Sequence, residues 1–239
     1  MRRALHYLYH WGCVAVFVAA MLLMYPLIVG GYALGGRHGR AISHLGFRLW
    51  GGSLLLTGLR LGVVGQKLLA TQGTVLYVAN HQSFLDTVSI FWAVRRPFKA
   101  LGKVQLGRLP VVGLLFTIGC IMVDRDRAGS RAASLVAIGR HFAQGGSLLL
   151  YPEGRMNPNP PALQPFAEAG IRLAMRQGVT LQPIALAGTG RLLPARQFLI
   201  RPGRVRLEIA PAITAKDYAG QDAATIVARI RAWMESRVG

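Results

Sequence analysis

The chain is poor in acidic residues and in lysine. Against 28 lysines and arginines there are 9 aspartates and glutamates, so the formal net charge is +19. Lysine accounts for only four of the basic residues, and no acidic residue precedes Asp86. A field of this sign attracts anions such as nucleic acid, anionic lipid headgroups or an acidic carrier protein. The sequence carries no nucleic-acid-binding motif and no aromatic platform for stacking bases, so nucleic acid is not an expected partner.

Cysteine is scarce as well, since Cys13 and Cys120 are the only two in the chain. Their separation gives neither the spacing of a zinc site nor the framework of a disulfide-rich domain. Unpaired cysteines usually behave as small buried hydrophobic residues. We therefore expect two free thiols, and the sequence predicts no metal site and no cofactor.

Charge is absent from the whole segment between Trp11 and Gly36. About 20 apolar residues suffice for a helix to cross a bilayer. Arg2 and Arg3 precede the segment and basic residues follow it at 37 and 40, so the positive-inside tendency draws both ends towards the cytoplasm. A cleaved signal peptide is the alternative, but no pair of small residues marks a cleavage site at the end of the apolar run.

Residues 40–62 are predicted to form a second, amphipathic helix. Arg40, His44 and Arg48 recur every four residues as a polar stripe, and apolar residues fill much of the remaining surface. This pattern suits a helix in the membrane interface, although an ordinary surface helix produces it too. We expect residues 1–65 to form a two-helix membrane anchor that holds the protein on the cytoplasmic face of the cell inner membrane.

Residues 66–239 alternate predicted strands and helices. The strands are expected at 74–80, 98–103, 119–125, 147–154, 180–188 and 204–210, the last at a sheet edge. The helices are expected at 85–94, 130–144, 167–177 and 223–237. This order predicts an α/β domain with a mixed, largely parallel sheet flanked by helices. The segments NHQSFLD, DRDR and PEGR each follow a strand, where active residues of such sheets gather.

His81 and Asp86 are the main candidates for chemistry. If His81 lies in the turn after the strand and Asp86 in the first turns of the helix, the two side chains can meet. The carboxylate would then fix the imidazole tautomer, and the second ring nitrogen could accept a proton from a hydroxyl. Taken alone, the pair could equally be a helix cap with a favourable N-terminal aspartate.

Four ordered segments between about residues 75 and 190 resemble the glycerolipid acyltransferase family. Its NHxxxxD motif is matched by Asn80, His81 and Asp86. Its Gly-x-Ile-hydrophobic-Ile-x-Arg block is matched closely at 119–125, and the first four positions of FPEGTR correspond to YPEG at 151–154. A family strand with a central proline is approximated at 181–186. The resemblance implies an enzyme that transfers a fatty acyl group from acyl-CoA or acyl carrier protein to a lysophospholipid at a membrane.

The resemblance also implies residue roles. His81 would be the general base on the acceptor hydroxyl, and Asp86 would orient the imidazole. Because the hydroxyl would attack the acyl thioester directly, no acyl-enzyme would form. A nucleophilic Ser83 is the rival, but nothing like a G-x-S-x-G elbow surrounds it. The implied substrate-binding residues are Asn80, Lys103, Arg125, Glu153, Gly154 and Arg155.

The segment after Gly154 departs from the family pattern. Arg155 stands in the threonine position of FPEGTR, Met156 in the arginine position, and Ala167 where a lysine is usual. The expected acceptor is 1-acylglycerol 3-phosphate, which would yield phosphatidic acid. Because these departures remove local positive charge, another lysolipid such as lyso-ornithine lipid is an alternative acceptor. A non-enzymatic basic protein that binds membranes or nucleic acid is a more distant alternative.

Overall fold

The computed structural model describes residues 2–124, 130–197 and 199–238. Seven strands form one sheet in the order β1-β7-β6-β2-β5-β3-β4. Strands β2 to β6 run parallel to one another, whereas β7 is antiparallel to β6 and parallel to β1. The predicted mixed, largely parallel sheet is therefore confirmed. The strands are β1 (Arg60–Val64), β2 (Val75–Ala79), β3 (Phe98–Lys103), β4 (Cys120–Val123), β5 (Ser147–Leu150), β6 (Thr180–Ala187) and β7 (Arg204–Ile209).

Helices cover both faces of the sheet. All five residues of the central strand β2 are buried, and alternate residues of a strand point to opposite faces. Val75 and Tyr77 belong to a core formed with the N-terminal helices, and Leu76 and Val78 to a second core on the other face. The helices are α1 (Arg2–Leu34), α2 (Gly36–Gly52), α3 (Phe84–Ala93), α4 (Val112–Gly119), α5 (Ser130–Ala143), α6 (Ala169–Arg176), α7 (Thr189–Leu192) and α8 (Ala223–Val238).

The segment before β2 differs from the sequence-based prediction. The helix expected to reach residue 62 ends at Gly52, a short 3-10 helix spans Ser53–Thr57, and β1 follows. Gly58 ends the helical segment because its φ of 77° is left-handed. Strand β1 pairs with β7, so the prediction that β7 lies at an edge was wrong. The sheet thus starts before residue 65, and the division of the chain at that residue stays a prediction.

Only α1 has the length and composition of a membrane-spanning helix within the part of the chain that the structure describes. Its apolar stretch covers Ala4–Leu34, and about 11% of the most apolar window is buried. Helix α2 instead packs closely on α1, where the Ser43 hydroxyl donates to the Ile28 carbonyl at 2.8 Å. The expected pair of anchoring helices is therefore corrected to one apolar helix with a packed partner.

His44 shows that the predicted polar stripe of α2 does not face solvent along its whole length. This residue was predicted on a polar stripe, yet it is only 4% exposed and lies beside Phe91 and Phe98. Its Nε2 is 2.9 Å from the carbonyl oxygen of Val94. Burial lowers the pKa of His44 to about 4, so the ring is neutral at physiological pH. The spacing of His44 between Arg40 and Arg48 predicts a solvent-facing residue, but the side chain instead joins α2 to the end of α3.

Candidate active site

The site lies where the parallel strands β2 and β5 end side by side. His81 follows β2, and the YPEG turn follows β5. Helix α3 begins at Phe84, shortly after His81, with Ser83 as its N-cap. Neighbouring parallel strands bring their carboxyl ends to the same edge of a sheet, which is why these distant segments meet.

His81 and Asp86 are in contact. The Nδ1 atom of His81 is 3.0 Å from Oδ2 of Asp86, whose side chain is fully buried. The same oxygen accepts the backbone N–H groups of Gln82 at 2.6 Å and Ser83 at 2.7 Å. Asp86 therefore bonds to the N-cap backbone of α3 and contacts His81 at once. The helix-cap interpretation agrees with this geometry, and the general-base role of His81 stays a prediction.

One face of the His81 imidazole is covered by an aromatic ring. Tyr151 stacks on His81 with ring centres 3.9 Å apart and planes 10° from parallel. Its hydroxyl lies 2.8 Å from the Thr87 hydroxyl, and burial raises the pKa of Tyr151 well above its usual value. The phenol of Tyr151 is therefore neutral at physiological pH. Its ring, held by Thr87 of α3, packs against the imidazole of His81. The side chain of His81 stays 16% exposed, and no described residue forms a hydrogen bond with its Nε2.

Glu153 holds the backbone of the site. It is 8% exposed, and its Oε1 accepts the His81 N–H at 2.7 Å while its Oε2 accepts the Gln164 N–H at 3.1 Å. Burial raises the pKa of Glu153, and these two N–H groups oppose that rise. The Asn157 N–H also donates to the His81 carbonyl at 2.6 Å. The loop after β5 thus fixes His81 from both sides of its peptide unit.

Two polar residues of the NHxxxxD segment use their side chains in hydrogen bonds with the backbone. The Asn80 side chain is fully buried, and its amide bonds to both backbone groups of Leu186 at 2.8 and 2.9 Å. A substrate contact of Asn80 stays a prediction, since in this conformation its amide joins β2 to β6. Ser83 is fully buried too, and its hydroxyl oxygen accepts the Leu85 N–H at 3.2 Å. That arrangement gives Ser83 the role of a helix cap and argues against the rival nucleophile.

The predicted cationic residues lie towards β5 and β3. Lys103 is exposed at the end of β3. Arg155 is exposed after Gly154, and its Nε lies 3.2 Å from Oε1 of Gln164. Gly154 has a φ of 73°, a turn conformation that favours glycine. The predicted contact of Arg125 lies outside the described residues.

Sequence reasoning missed two side chains of the site. Tyr151 was counted only as a motif position, although an aromatic residue directly after the strand beside β2 is a signal that it could cover His81. Gln82 belongs to no sequence signal of its own, and it is 2% exposed next to His81. Its surroundings come from the turn after β6, which no local pattern links to residue 82.

Comparison with known proteins places the chain in a family. A model of the acyltransferase family matches residues 60–187, more than half of the chain. A 1-acyl-sn-glycerol-3-phosphate acyltransferase of Chlamydomonas reinhardtii is 31% identical over 204 residues, which cover 84% of this chain and 60% of that protein. A protein of the same name from Salmonella typhimurium is 26% identical over 168 residues, covering 70% of this chain and 67% of that protein. The chain belongs to the acyltransferase family.

A solved structure supports the fold. The crystal structure of the 1-acyl-sn-glycerophosphate acyltransferase PlsC from Thermotoga maritima superimposes with a TM-score of 0.80 at 20% identity. The alignment covers 99% of this chain and 95% of that one. At this identity the likeness establishes the shared fold. The chain spans 56 to 60% of the length of the matching proteins from Chlamydomonas reinhardtii, Brassica napus and Arabidopsis thaliana.

Proposed function

We propose that the protein transfers a fatty acyl group from a thioester donor, acyl-CoA or acyl carrier protein, to the sn-2 hydroxyl of 1-acylglycerol 3-phosphate. The product would be phosphatidic acid, a precursor of phospholipids. The observation that carries this proposal is the contact between His81 Nδ1 and the buried carboxylate of Asp86, with Nε2 left available. The names of similar proteins from Chlamydomonas reinhardtii and Salmonella typhimurium support the acceptor.

The geometry suggests a direct transfer. Asp86 accepts a hydrogen bond from Nδ1–H of the neutral ring, so Nε2 is the nitrogen that acts as a base. Nε2 takes the proton of the acceptor hydroxyl while its oxygen attacks the thioester carbonyl. The tetrahedral intermediate then expels the thiolate, which receives that proton from the imidazolium. Asp86 stabilises the imidazolium during this cycle, and no acyl group is placed on the enzyme.

The acceptor's phosphate is assigned to the cations towards β5 and β3. Lys103 and Arg155 follow neighbouring parallel strands at the same edge as His81. An arginine can contact a phosphate through two N–H groups, and a lysine contributes a point charge. Met156 is 39% exposed and carries no charge, so recognition of the phosphate rests on fewer cations than the motif usually supplies.

The proposed location is the cytoplasmic face of the inner membrane. Helix α1 exposes large apolar side chains, among them Leu5, Leu8 and Trp11, each more than 60% exposed. Such a surface is unfavourable in water and is typical of contact with lipid. Membrane lipid would therefore be both partner and source of substrate. If washing membranes with alkaline carbonate released the intact chain, an embedded α1 would be ruled out.

A panel assay tests the proposed reaction. The purified full chain is offered 1-acylglycerol 3-phosphate, other lysophospholipids and lyso-ornithine lipid, each with acyl-CoA and with acyl carrier protein. We expect phosphatidic acid as the main product, and a His81→Ala chain as the inactive control. Absence of transfer to every acceptor would contradict the enzymatic function. Exclusive use of an acceptor without a phosphate monoester would replace the headgroup assignment and leave the acyl transfer in place.

A further inference from the structure

A pocket lined in part by Gln82, the residue after His81, lies on the opposite side of β2 from Lys103 and Arg155. It has a volume of about 560 Å³ and opens at the end of β6. Pockets of roughly 300–1,000 Å³ hold drug-sized or cofactor-sized molecules. The residues that matter for its chemistry are Gln82, Gly190, Arg191, Arg204 and Arg206.

The direction of β7 explains why three arginines meet there. Because β7 is antiparallel to β6, its first residues lie beside the carboxyl end of β6. Arg204 and Arg206 are two apart on this strand and point to the same face. Arg191 comes from α7, which follows β6 directly. All three side chains are exposed.

The charge of this pocket is largely uncompensated. Arg206 pairs with Glu208 at 2.6 Å, and Glu208 also pairs with Arg237 at 2.7 Å. Within the described ranges, neither Arg191 nor Arg204 forms a salt bridge. The pocket therefore offers at least two guanidinium groups to an anion, each able to make paired hydrogen bonds with a phosphate.

Gln82 provides an independent sign of a ligand. Its side chain is 2% exposed, lines the pocket and carries an amide nitrogen that has no hydrogen-bond partner in the described part of the chain. Its amide oxygen is 3.5 Å from the Thr189 hydroxyl, which leaves the nitrogen as the unused group. A buried donor without a partner is unfavourable, so it is expected to be satisfied when the site is filled. An acceptor atom bound there would lie next to the residue that holds the catalytic imidazole.

We propose that this pocket binds phosphate groups of the acyl donor, with Arg191 and Arg204 as their main contacts and Gln82 donating to an acceptor oxygen of the same molecule. The proposal rests on the function proposed above, because it needs a phosphate-bearing thioester donor. Both substrates contain phosphate, and two features favour the donor. Coenzyme A carries several phosphate groups, which suits more than one arginine and a volume of this size. The cations towards β5 and β3 are already assigned to the single phosphate of the acceptor.

Direct binding tests the proposal independently of catalysis. Free coenzyme A, 3′,5′-ADP and glycerol 3-phosphate are titrated calorimetrically into the full chain in detergent. The variant is Arg191→Gln with Arg204→Gln, and the matched control is Arg140→Gln with Arg229→Gln, two exposed arginines outside the pocket. We expect the pocket variant to bind coenzyme A and 3′,5′-ADP about tenfold more weakly or worse, which corresponds to about 1.4 kcal/mol. Binding of glycerol 3-phosphate and the melting temperature should stay unchanged.

Kinetics of the same proteins identify the substrate concerned. The pocket variant should raise the KM for acyl-CoA while the KM for the lysolipid stays near that of the unaltered chain. A rise confined to the lysolipid KM would overturn the donor assignment. A Gln82→Leu chain should also weaken coenzyme A binding, because it removes the unpaired amide at nearly constant volume.

The two proposals fail in different ways. Coenzyme A binding that depends on Arg191 and Arg204 supports the pocket even if no acceptor is acylated, and that result would contradict only the proposed reaction. Acyl transfer by a pocket variant with unchanged coenzyme A binding and unchanged KM values would contradict only the pocket. Failure of the unaltered chain to bind coenzyme A would also overturn the pocket proposal.

Discussion

Asp86 and Arg155 lie at the same end of the sheet in opposite surroundings. Asp86 is fully buried, and three donors converge on one of its oxygens. Arg155 is exposed on a loop, with a single hydrogen bond to Gln164 among the contacts described for its side chain. The proposed catalytic pair is thus built into the start of a helix, whereas the proposed headgroup contacts are exposed side chains. Substitution of Arg155 should therefore disturb the fold less than substitution of Asp86.

Asp86→Asn tests the role of the buried carboxylate, and we expect this substitution to have the largest effect on kcat. An asparagine oxygen can still accept the two backbone N–H groups, so the melting temperature should change little. The negative charge that supports the imidazolium is lost, and kcat should fall by about 10³-fold or more, by analogy with the general-base and triad substitutions. Steady-state kinetics and a thermal melt of the same preparation check this. Activity within tenfold of the unaltered chain would show that Asp86 is only a cap.

Combined Lys103→Gln and Arg155→Gln substitutions test the proposed contacts of the exposed cations with the acceptor's phosphate. Loss of two charged contacts to one phosphate should raise the KM for 1-acylglycerol 3-phosphate by roughly 10- to 100-fold. Because neither residue contacts His81 in the structure, kcat at saturating acceptor should change far less. The Arg140→Gln, Arg229→Gln chain is the matched control for lost charge. An unchanged acceptor KM would place the phosphate elsewhere.

Tyr151→Leu asks whether stacking matters beyond the contact with Asp86. Aromatic pairs add about 0.5–1.5 kcal/mol beyond the area they bury, so a freer imidazole should lower kcat up to about tenfold. Tyr151→Phe keeps the ring and removes only the hydroxyl bonded to Thr87, and it should recover most of the activity. Separate values of kcat and KM for both chains distinguish positioning from binding. Equal losses in the two variants would assign the effect to the hydroxyl.

Ser83→Ala should have the smallest effect on catalysis. Removal of an N-cap hydroxyl costs about 1 kcal/mol, so the melting temperature should fall by a few degrees. Acyl transfer by the remaining folded protein should continue at a similar rate, since Ser83 is buried as a cap. A Ser83→Ala chain that is stable but inactive would instead support Ser83 as a nucleophile.

The sequence predicted the parts of the fold that carry strong local patterns. Strands β2, β3, β5 and β6 begin within a residue of the expected positions, because apolar runs bounded by turn residues mark buried strands. Strand β1 was missed, since a short exposed edge strand after a helix has too few residues for a clear period. Helix α4 was missed because it is apolar on nearly every side.

The site was predictable only where its contacts are close in sequence. His81 and Asp86 are five residues apart, and the strand–turn–helix pattern indicated that their side chains could meet, as they do. The stacking of Tyr151 on His81 and the unpaired amide of Gln82 depend on segments about 70 and 107 residues away. Such contacts follow from strand order, which single-sequence patterns do not determine.

The central claim is that His81 acts as the general base of a direct acyl transfer, and formation of phosphatidic acid by a His81→Ala chain tests it most directly. His38→Ala is the matched control, since His38 is exposed at the start of α2. The account predicts that His81→Ala loses at least about 10³-fold in kcat at an unchanged melting temperature, whereas the control remains active. A folded His81→Ala chain that forms phosphatidic acid at a rate within tenfold of the unaltered chain would contradict the account.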